Sequence, residues 1–434
     1  MLSIVPRVKK RPQPARDSRS PAHSRLALAV VAVLLATGVV LRIIHFPVAV
    51  YTPDEDAYVN KYAAPMYYNG LGELPRLVRD YNRRPDMFQF PSPTRVGHLW
   101  AMVGMMKLAG SGTAQAAACV STIASILMLL LIARIGLKFL NPWIAAIALL
   151  FAAVSPLDLA LARRVWGDDL FALFALATLL ALIEYATGKP RARWMVSCLA
   201  LAGYSILIKE SGLLVLGFAT AGLAIAAWRA SGPPAAARAI LAGAITLLAS
   251  LGVLAVACGG IEPLRATFTR GAAAGRVNDY MLHYQTGGPG YYLRGLSLLQ
   301  PLPMLLGALG AALVAARPSL VRPASDPRRT RSALAILAWF TIVFAAVALL
   351  YPQKNMRFLS PAYAPLDLLA AALLSAAVEH ARSRLPRPAF NLVAATIVAL
   401  LLGAALADHQ RFVEFFIRRG IPDLATPWFT RTPS

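Results

Sequence analysis

The feature that most constrains this chain is the recurrence of long, nearly charge-free apolar runs. They measure about 16 to 24 residues, the length an α-helix needs to cross a hydrocarbon layer of about 30 Å. The runs fall at about 26–50, 114–137, 141–157, 168–187, 194–208, 211–228, 239–258, 296–316, 333–351, 360–379 and 390–407. A chain built this way must satisfy its backbone polar groups inside each segment. The alternating ten-residue pattern of a membrane barrel is absent, so helices are the one option left. The expected fold is an all-α polytopic membrane protein with about eleven transmembrane helices. Composition agrees: 58% of the 434 residues are hydrophobic and 15% are charged, against about 25% charged in soluble domains.

Lys and Arg number 43 against 20 Asp and Glu, a formal charge of +23. Cytoplasmic loops of membrane proteins collect such cations, and positive charge near the headgroups suits a protein that handles lipid phosphates. The aromatic-basic interleaving of a nucleic-acid groove is missing, which argues against a nucleic-acid partner. Cys119, Cys198 and Cys258 lie in or beside apolar runs without CxxC spacing, so they read as packing residues.

Residues 1–25, basic and rich in Pro and Ser, are expected to form a disordered cytoplasmic tail. With that end inside, the short inner connections hold more Lys and Arg than the outer ones. Residues 26–407 then form the transmembrane module, with long outer loops at 51–94 and 259–295, and 408–434 a short outer tail. "RVGHLWAMVGMMKLAG" (95–110) is too short to span and is expected to be a juxtamembrane helix after the first outer loop.

The scarce acids are unevenly spent. "YTPDEDAYVN" (51–60) places Asp54, Glu55 and Asp56 directly after the first run. Under this topology the other outer helix ends carry Arg163, Arg164, Asp168 and Asp169, then Lys209 and Glu210, Arg294, and Lys354 and Arg357. Acids in a first helical turn also suit the helix dipole, and cations at a helix mouth also suit snorkelling. Together, however, a ring of acids and bases on one membrane face suits a phosphorylated headgroup: cations hold phosphate oxygens while a carboxylate takes a proton. Walker-type and dinucleotide-binding fingerprints are absent.

"YTPDEDAYVNKYAAPMYYNG", with Pro53, Asp54, Glu55 and Tyr58, resembles the first outer loop of the GT-C membrane glycosyltransferases. The closest resemblance is to the family-39-like group of protein O-mannosyltransferases and lipid A aminoarabinose transferases. "RRVWGDDLFALFALATL", "LIKESGLLVL", "GGPGYYLRGLSLLQPLP" and "QKNMRFLSPAYAPLDLLAA" resemble later segments of that family in the same order, with Asp169 the better match of its acidic pair. The family's His-Lys-Pro-Pro type segment is replaced here by Gln89-Phe90-Pro91-Ser92-Pro93.

The resemblance implies a GT-C fold with juxtamembrane helices in the first outer loop. It also implies transfer of a monosaccharide from a polyprenyl-phosphate sugar donor to a hydroxyl of a glycolipid, glycan or protein acceptor. Asp54 would be the general base, acting with inversion, alongside Glu55 and Asp169. Arg163, Arg164, Lys209, Lys354 and Arg357 would neutralise the donor phosphate. Tyr58, Asp168, Glu210, Tyr291, Tyr292 and Arg294 would line the substrate site. A divalent cation is left open by these residues, as is any metal. The Ala-, Arg- and Pro-rich composition leans towards a bacterial inner membrane with the site facing the periplasm. The competing expectation, a transporter or flippase of lipid-linked sugars, calls for ionisable residues deep in several spans or on both faces.

Overall fold

The computed structural model describes residues 21–46, 52–84, 91–188, 191–317 and 326–430. Most of the N-terminal tail and the Gln89-Phe90 pair lie outside the described residues. Everything described is helix or connection, apart from one isolated antiparallel bridge between Thr286 and Gln353.

The chain opens with α1 (Pro21–Ile44). The segment expected to be the first outer loop follows as α2 (Pro53–Asp56), α3 (Ala64–Asn69) and α4 (Leu74–Arg83), then α5 (Val96–Leu108). Between α2 and α3 the rod widens into π-helix over Ala57–Ala63, a local winding often found at functional sites. The membrane body continues with α6 (Ala114–Phe139), α7 (Pro142–Val154), α8 (Pro156–Ala162), α9 (Asp168–Thr187), α10 (Ala192–Ile208), α11 (Gly212–Ser231) and α12 (Pro233–Ala257). The segment expected to be the second outer loop folds as α13 (Ile261–Val277), α14 (Asp279–Tyr284) and α15 (Gly290–Leu299). Then come α16 (Pro301–Ala316), α17 (Pro327–Leu350), α18 (Ser360–Arg384), α19 (Arg387–Phe412) and the short α20 (Pro427–Thr430).

Eight of the described helices are long and apolar enough to cross a membrane, or nine if α7 and α8 are one span bent by 59°. The expected eleven is therefore not reached by length. The runs expected at 194–208 and 296–316 fold as α10 and α16, of 17 and 16 residues, about 25 Å long at 1.5 Å per residue. Local chemistry explains the α7–α8 break and the short α16. Ser155 accepts from Asp158 N and Pro156 follows at the first helical position, so a new helix starts inside a continuous apolar run. Pro301 does the same after Gln300, separating α15 from α16.

The break between α7 and α8 strands carbonyl groups that a straight helix would have used. Arg42 of α1, fully buried, takes them up. Its guanidinium donates to Ala152 O at 3.2 Å and Ala153 O at 3.4 Å, to Gly38 O at 3.0 Å and to Ser125 Oγ at 2.6 Å. Glycine is required where α10 turns into α11. A Cβ at Gly212 would stand 2.3 Å from the Ser205 carbonyl carbon, so the tight turn carrying Lys209 and Glu210 closes against glycine alone. The segment expected to be a short outer tail is folded over its described residues: α19 runs on as π-helix through Val413–Arg418, and residues 422–426 return over the end of the bundle that carries Arg164, Met356 and Tyr291.

Candidate active site

Thr52 starts α2 with a reciprocal cap. Its Oγ1 accepts from Glu55 N at 3.3 Å, and Glu55 Oε2 accepts from Thr52 N at 2.9 Å, with Pro53 at the first helical position. The same Glu55 carboxylate accepts from Arg164 Nη2 at 2.6 Å and from Val165 N at 3.0 Å, with its side chain 3% exposed. Both carboxylate oxygens of Glu55 are thus engaged, and it bolts the segment after α1 to the α8–α9 connection. Asp54 is one residue back and so rotated by about 100° on the helix. It faces away from this bolt, and its side chain is 32% exposed. Its Oδ2 accepts from Arg357 Nη2 at 2.9 Å.

Arg357 sits on the 3₁₀ turn Met356–Leu359 ahead of α18, where Asn355 Oδ1 caps its backbone N–H at 3.1 Å. Its guanidinium lies 4.9 Å from the Trp166 ring centroid, and that of Arg164 lies 4.6 Å from the same ring, distances suited to cation–π attraction. Lys209, at the α10–α11 turn, donates to Asp168 Oδ1 at 2.5 Å and stands 4.8 Å from the Phe358 ring. Three acid–cation pairs, Asp54–Arg357, Glu55–Arg164 and Asp168–Lys209, therefore converge at one end of the bundle. Burial pulls the Lys209 pKa below its ordinary value, with Asp168 opposing.

A fourth pair borders these. Arg95, just ahead of α5, donates to Tyr58 Oη at 2.5 Å and pairs with Glu210 at 3.5 Å. Burial works against the Arg95 charge, but Tyr58 and Glu210 hold it protonated. Burial also raises the Tyr58 pKa, keeping its phenol intact. Edge-on to Tyr58 at 5.2 Å lies His98, whose Nε2 is 3.2 Å from Val165 O. Burial pushes the His98 pKa down to about 4, so its ring is neutral at ordinary pH.

The remaining expected site residues stand elsewhere. Asp169 turns inward from Asp168, into the electrostatic reach of Arg42 and Asp158, and both its oxygens are buried without a hydrogen-bond partner among the described residues. Asp168, not Asp169, faces the charged cluster. Arg163 lies over the Phe412 ring at 5.7 Å. Lys354 is occupied at the end of α17, where Nζ donates to Leu349 O at 2.8 Å and to Tyr351 O, so it caps a helix rather than facing the cations around Trp166. Arg294 is exposed on α15. Tyr291 is bound to Thr426 and Tyr284 O, and Tyr292 is buried among the aromatic and aliphatic side chains of that end. The structure adds Arg95, Trp166, Asn355, Tyr280 and Asp423 to the neighbourhood. Of these, Arg95 carried a visible signal, a cation at the mouth of a juxtamembrane helix.

The buried ionisable residues of the membrane helices lie mostly towards this same end. Arg42 lies in the last turn of α1, and Asp158, Asp169 and Asp408 are near helix ends on the side of the site. Asp367 is seven residues into α18, roughly 10 Å deep. At the opposite end Glu184 is paired with Lys138 and approached by Arg134 at 3.9 Å. Among the described residues no three His, Cys, Asp or Glu side chains are grouped to hold a metal ion.

A scan of family models matches residues 93–257 to the dolichyl-phosphate-mannose-protein mannosyltransferase family. The fold is similar to that of ArnT from Cupriavidus metallidurans bound to undecaprenyl phosphate. The identity is 19% and the TM-score 0.55, over 94% of this chain and 74% of that one. It is also similar to the archaeal oligosaccharyltransferase AglB from Archaeoglobus fulgidus, in complex with an inhibitory peptide and a dolichol-phosphate. Here the identity is 15% and the TM-score 0.54, over 94% of this chain and 57% of that one. A comparison with curated proteins returns no match. The family model thus matches less than half of the chain, over residues 93–257, while the fold is shared with these solved structures over nearly the whole chain.

Proposed function

We propose that this protein transfers a monosaccharide from a polyprenyl-phosphate carrier to an acceptor hydroxyl at the outer face of a bacterial inner membrane. Asp54 is the general base. The observation that carries this is the Asp54–Arg357 pair: a partly open carboxylate 2.9 Å from a guanidinium, beside two further acid–cation pairs. A donor phosphate competes with Asp54 for Arg357, because bidentate Arg–phosphate contacts are among the strongest hydrogen bonds available. Once released, Asp54 accepts the proton of the acceptor hydroxyl as its oxygen bonds to the anomeric carbon. The bond from that carbon to the phosphate oxygen breaks, and the polyprenyl phosphate leaves with the electron pair. Attack from the face opposite the phosphate inverts the anomeric centre. Arg357, with Arg164 and Lys209 beside it, stabilises the charge that grows on the departing phosphate. Such electrostatic stabilisation usually supplies more of the rate enhancement than any other effect. Glu55 holds Arg164 in place and takes no proton.

The likeness to a structure bound to undecaprenyl phosphate and the family's polyprenyl-linked donor support the donor class. The buried ionisable residues of the membrane helices lie mostly towards one end of the bundle, which favours a transferase over a flippase, because a flippase must pass its substrate from one face to the other. The test is a purified, nanodisc-embedded protein supplied with polyprenyl-phosphate sugars and envelope acceptor extracts. Asp54→Asn and Asp54→Ala should lose transfer by about 10²-fold or more. Full activity in both variants would remove Asp54 as the base. Comparing glycan and lipid profiles of a deletion strain and its parent identifies the acceptor.

A further inference from the structure

The segment after α19 makes an unusual number of specific bonds to the charged site for a chain end. Leu424 and Ala425 are wholly buried and Asp423 is 5% exposed. Buried irregular backbone must find partners, and here the partners are the parts that carry Arg357. Leu424 O accepts from Met356 N at 3.1 Å. Asp423 accepts from Asn355 Nδ2 at 3.2 Å on Oδ1 and 3.1 Å on Oδ2, from Leu424 N at 2.7 Å, and from the Tyr280 hydroxyl. Asn355 is the residue whose other amide atom caps the Arg357 N–H. Pro422 O accepts at 2.7 Å from the same Arg164 Nη2 that binds Glu55.

The same segment grips the second outer loop. Thr426 N donates to Tyr291 Oη at 2.9 Å, and Thr426 Oγ1 donates to Tyr291 O at 3.2 Å. Trp428 stacks on Tyr284 at 5.0 Å, which stacks on Tyr280 at 4.9 Å.

We infer that residues 422–428 are a built-in strap that positions Arg357 for the transfer reaction, with Asp423 as its positioning residue. The Asp423 carboxylate orients the Asn355 amide, and the amide fixes the 3₁₀ turn from which Arg357 reaches Asp54. Through Tyr280 the same carboxylate links that turn to the second outer loop. Asp423 itself touches no reacting atom. This rests on the proposed function for its catalytic consequence, while the strap's grip on the turn can be measured without it.

The experiment uses the full-length protein in nanodiscs, with hydrogen exchange over residues 354–359 and transfer kinetics measured on the same samples. Asp423→Ala removes all the carboxylate's bonds. Exchange in the turn should rise at least about tenfold while exchange in the spans is unchanged. The kcat should fall by about 10²-fold, the scale for a misplaced catalytic group, with the donor KM changing less than about threefold. Asp423→Asn keeps a side chain that can accept from Asn355 and Leu424 and can meet the Tyr280 hydroxyl. It should restore the turn's protection and most of the rate.

Tyr280→Phe deletes only the two bonds of the hydroxyl, the one it donates to Asp423 and the one it accepts from Trp428 Nε1 at 3.3 Å, and should raise exchange and lower kcat severalfold, which keeps the inference open to refutation if Asp423→Ala does not fold. Unchanged exchange in Asp423→Ala or, if that variant does not fold, in Tyr280→Phe would overturn the strap. So would raised exchange with an undiminished kcat. If Asp423→Asn loses transfer as fully as Ala while the turn stays protected, the charge and not the positioning matters, and the inference falls. A wild-type protein without Asp54-dependent transfer overturns the proposed function and the catalytic role of the strap together, an outcome distinct from the others.

Discussion

Two adjacent acids in this protein should behave as opposites, and replacing each by its amide exposes the difference. Glu55 is buried and accepts four hydrogen bonds, one of them from the buried Arg164. In Glu55→Gln the amide NH₂ must face at least one of the N–H donors that the carboxylate satisfied. Arg164 also keeps only the Pro422 carbonyl among the bonds described. Stranding one member of a buried ion pair costs about 3–5 kcal/mol, and the lost reciprocal cap adds about 1 kcal/mol. Asp54→Asn breaks a single contact at a side chain one third exposed, and its cost should stay near 1 kcal/mol or below.

The assay is thermal unfolding of each variant in the same detergent, with transfer activity measured alongside. Glu55→Gln should unfold well below the parent, and Asp54→Asn should unfold with it while being inactive. The double substitution Glu55→Gln with Arg164→Met removes both charges, so it should recover much of the lost stability, because an absent pair costs less than a broken one. Equal destabilisation by the two single substitutions would refute the division of roles. So would a Glu55→Gln protein that keeps its melting temperature and loses transfer.

Three further outcomes are expected. Lys354→Met frees the carbonyls at the end of α17 and should cost about 1–3 kcal/mol, seen as a lower melting temperature with the donor KM unchanged. His98 has an unfolded value of 6.5 and a folded value of about 4, so the unfolded chain binds the extra proton between these pH values. Its contribution is complete above pH 6.5 and lost as the pH falls towards 4; His98→Phe should flatten that part of a stability–pH curve. Arg42→Met leaves the carbonyls at the α7–α8 bend unpaired and should destabilise the protein by about 3 kcal/mol, measured by the same unfolding assay.

The helical membrane body was legible because apolar run length is a local property, and so was the gathering of Asp54, Glu55, Arg164, Asp168, Lys209 and Arg357 at one end of the bundle. Breaks within a run were marked only by Ser155-Pro156 and Gln300-Pro301, and a hydropathy pattern passes over such pairs while the backbone cannot. The acidic pair at 54–55 was visible, but its division of labour was not, since adjacent helical residues point about 100° apart and only their partners show which way. The same rotation separates Asp168 from Asp169. Lys354 looked like a phosphate ligand because its alternative partners are carbonyl groups, which carry no sequence signal. Asp423 and Tyr280 belong to the neighbourhood through contacts spanning 68 and 143 residues, beyond any spacing rule.

Taken together, the charged residues describe a site that is neutral pair by pair: Asp54 with Arg357, Glu55 with Arg164, Asp168 with Lys209 and Glu210 with Arg95. Their accessibility differs, and that decides which pair can open. Glu55–Arg164 and Asp168–Lys209 are buried on both sides, and separating either strands a charge in a low-dielectric region at a cost of several kcal/mol. Asp54 can lose its cation and still be solvated. An arriving phosphate is therefore expected to open the Asp54–Arg357 pair first, while the buried pairs hold the frame. On the proposed function, the base is then released by the group that will leave. Acceptor deprotonation is then coupled to donor occupancy by competition for one guanidinium, with no moving lid needed to enforce it.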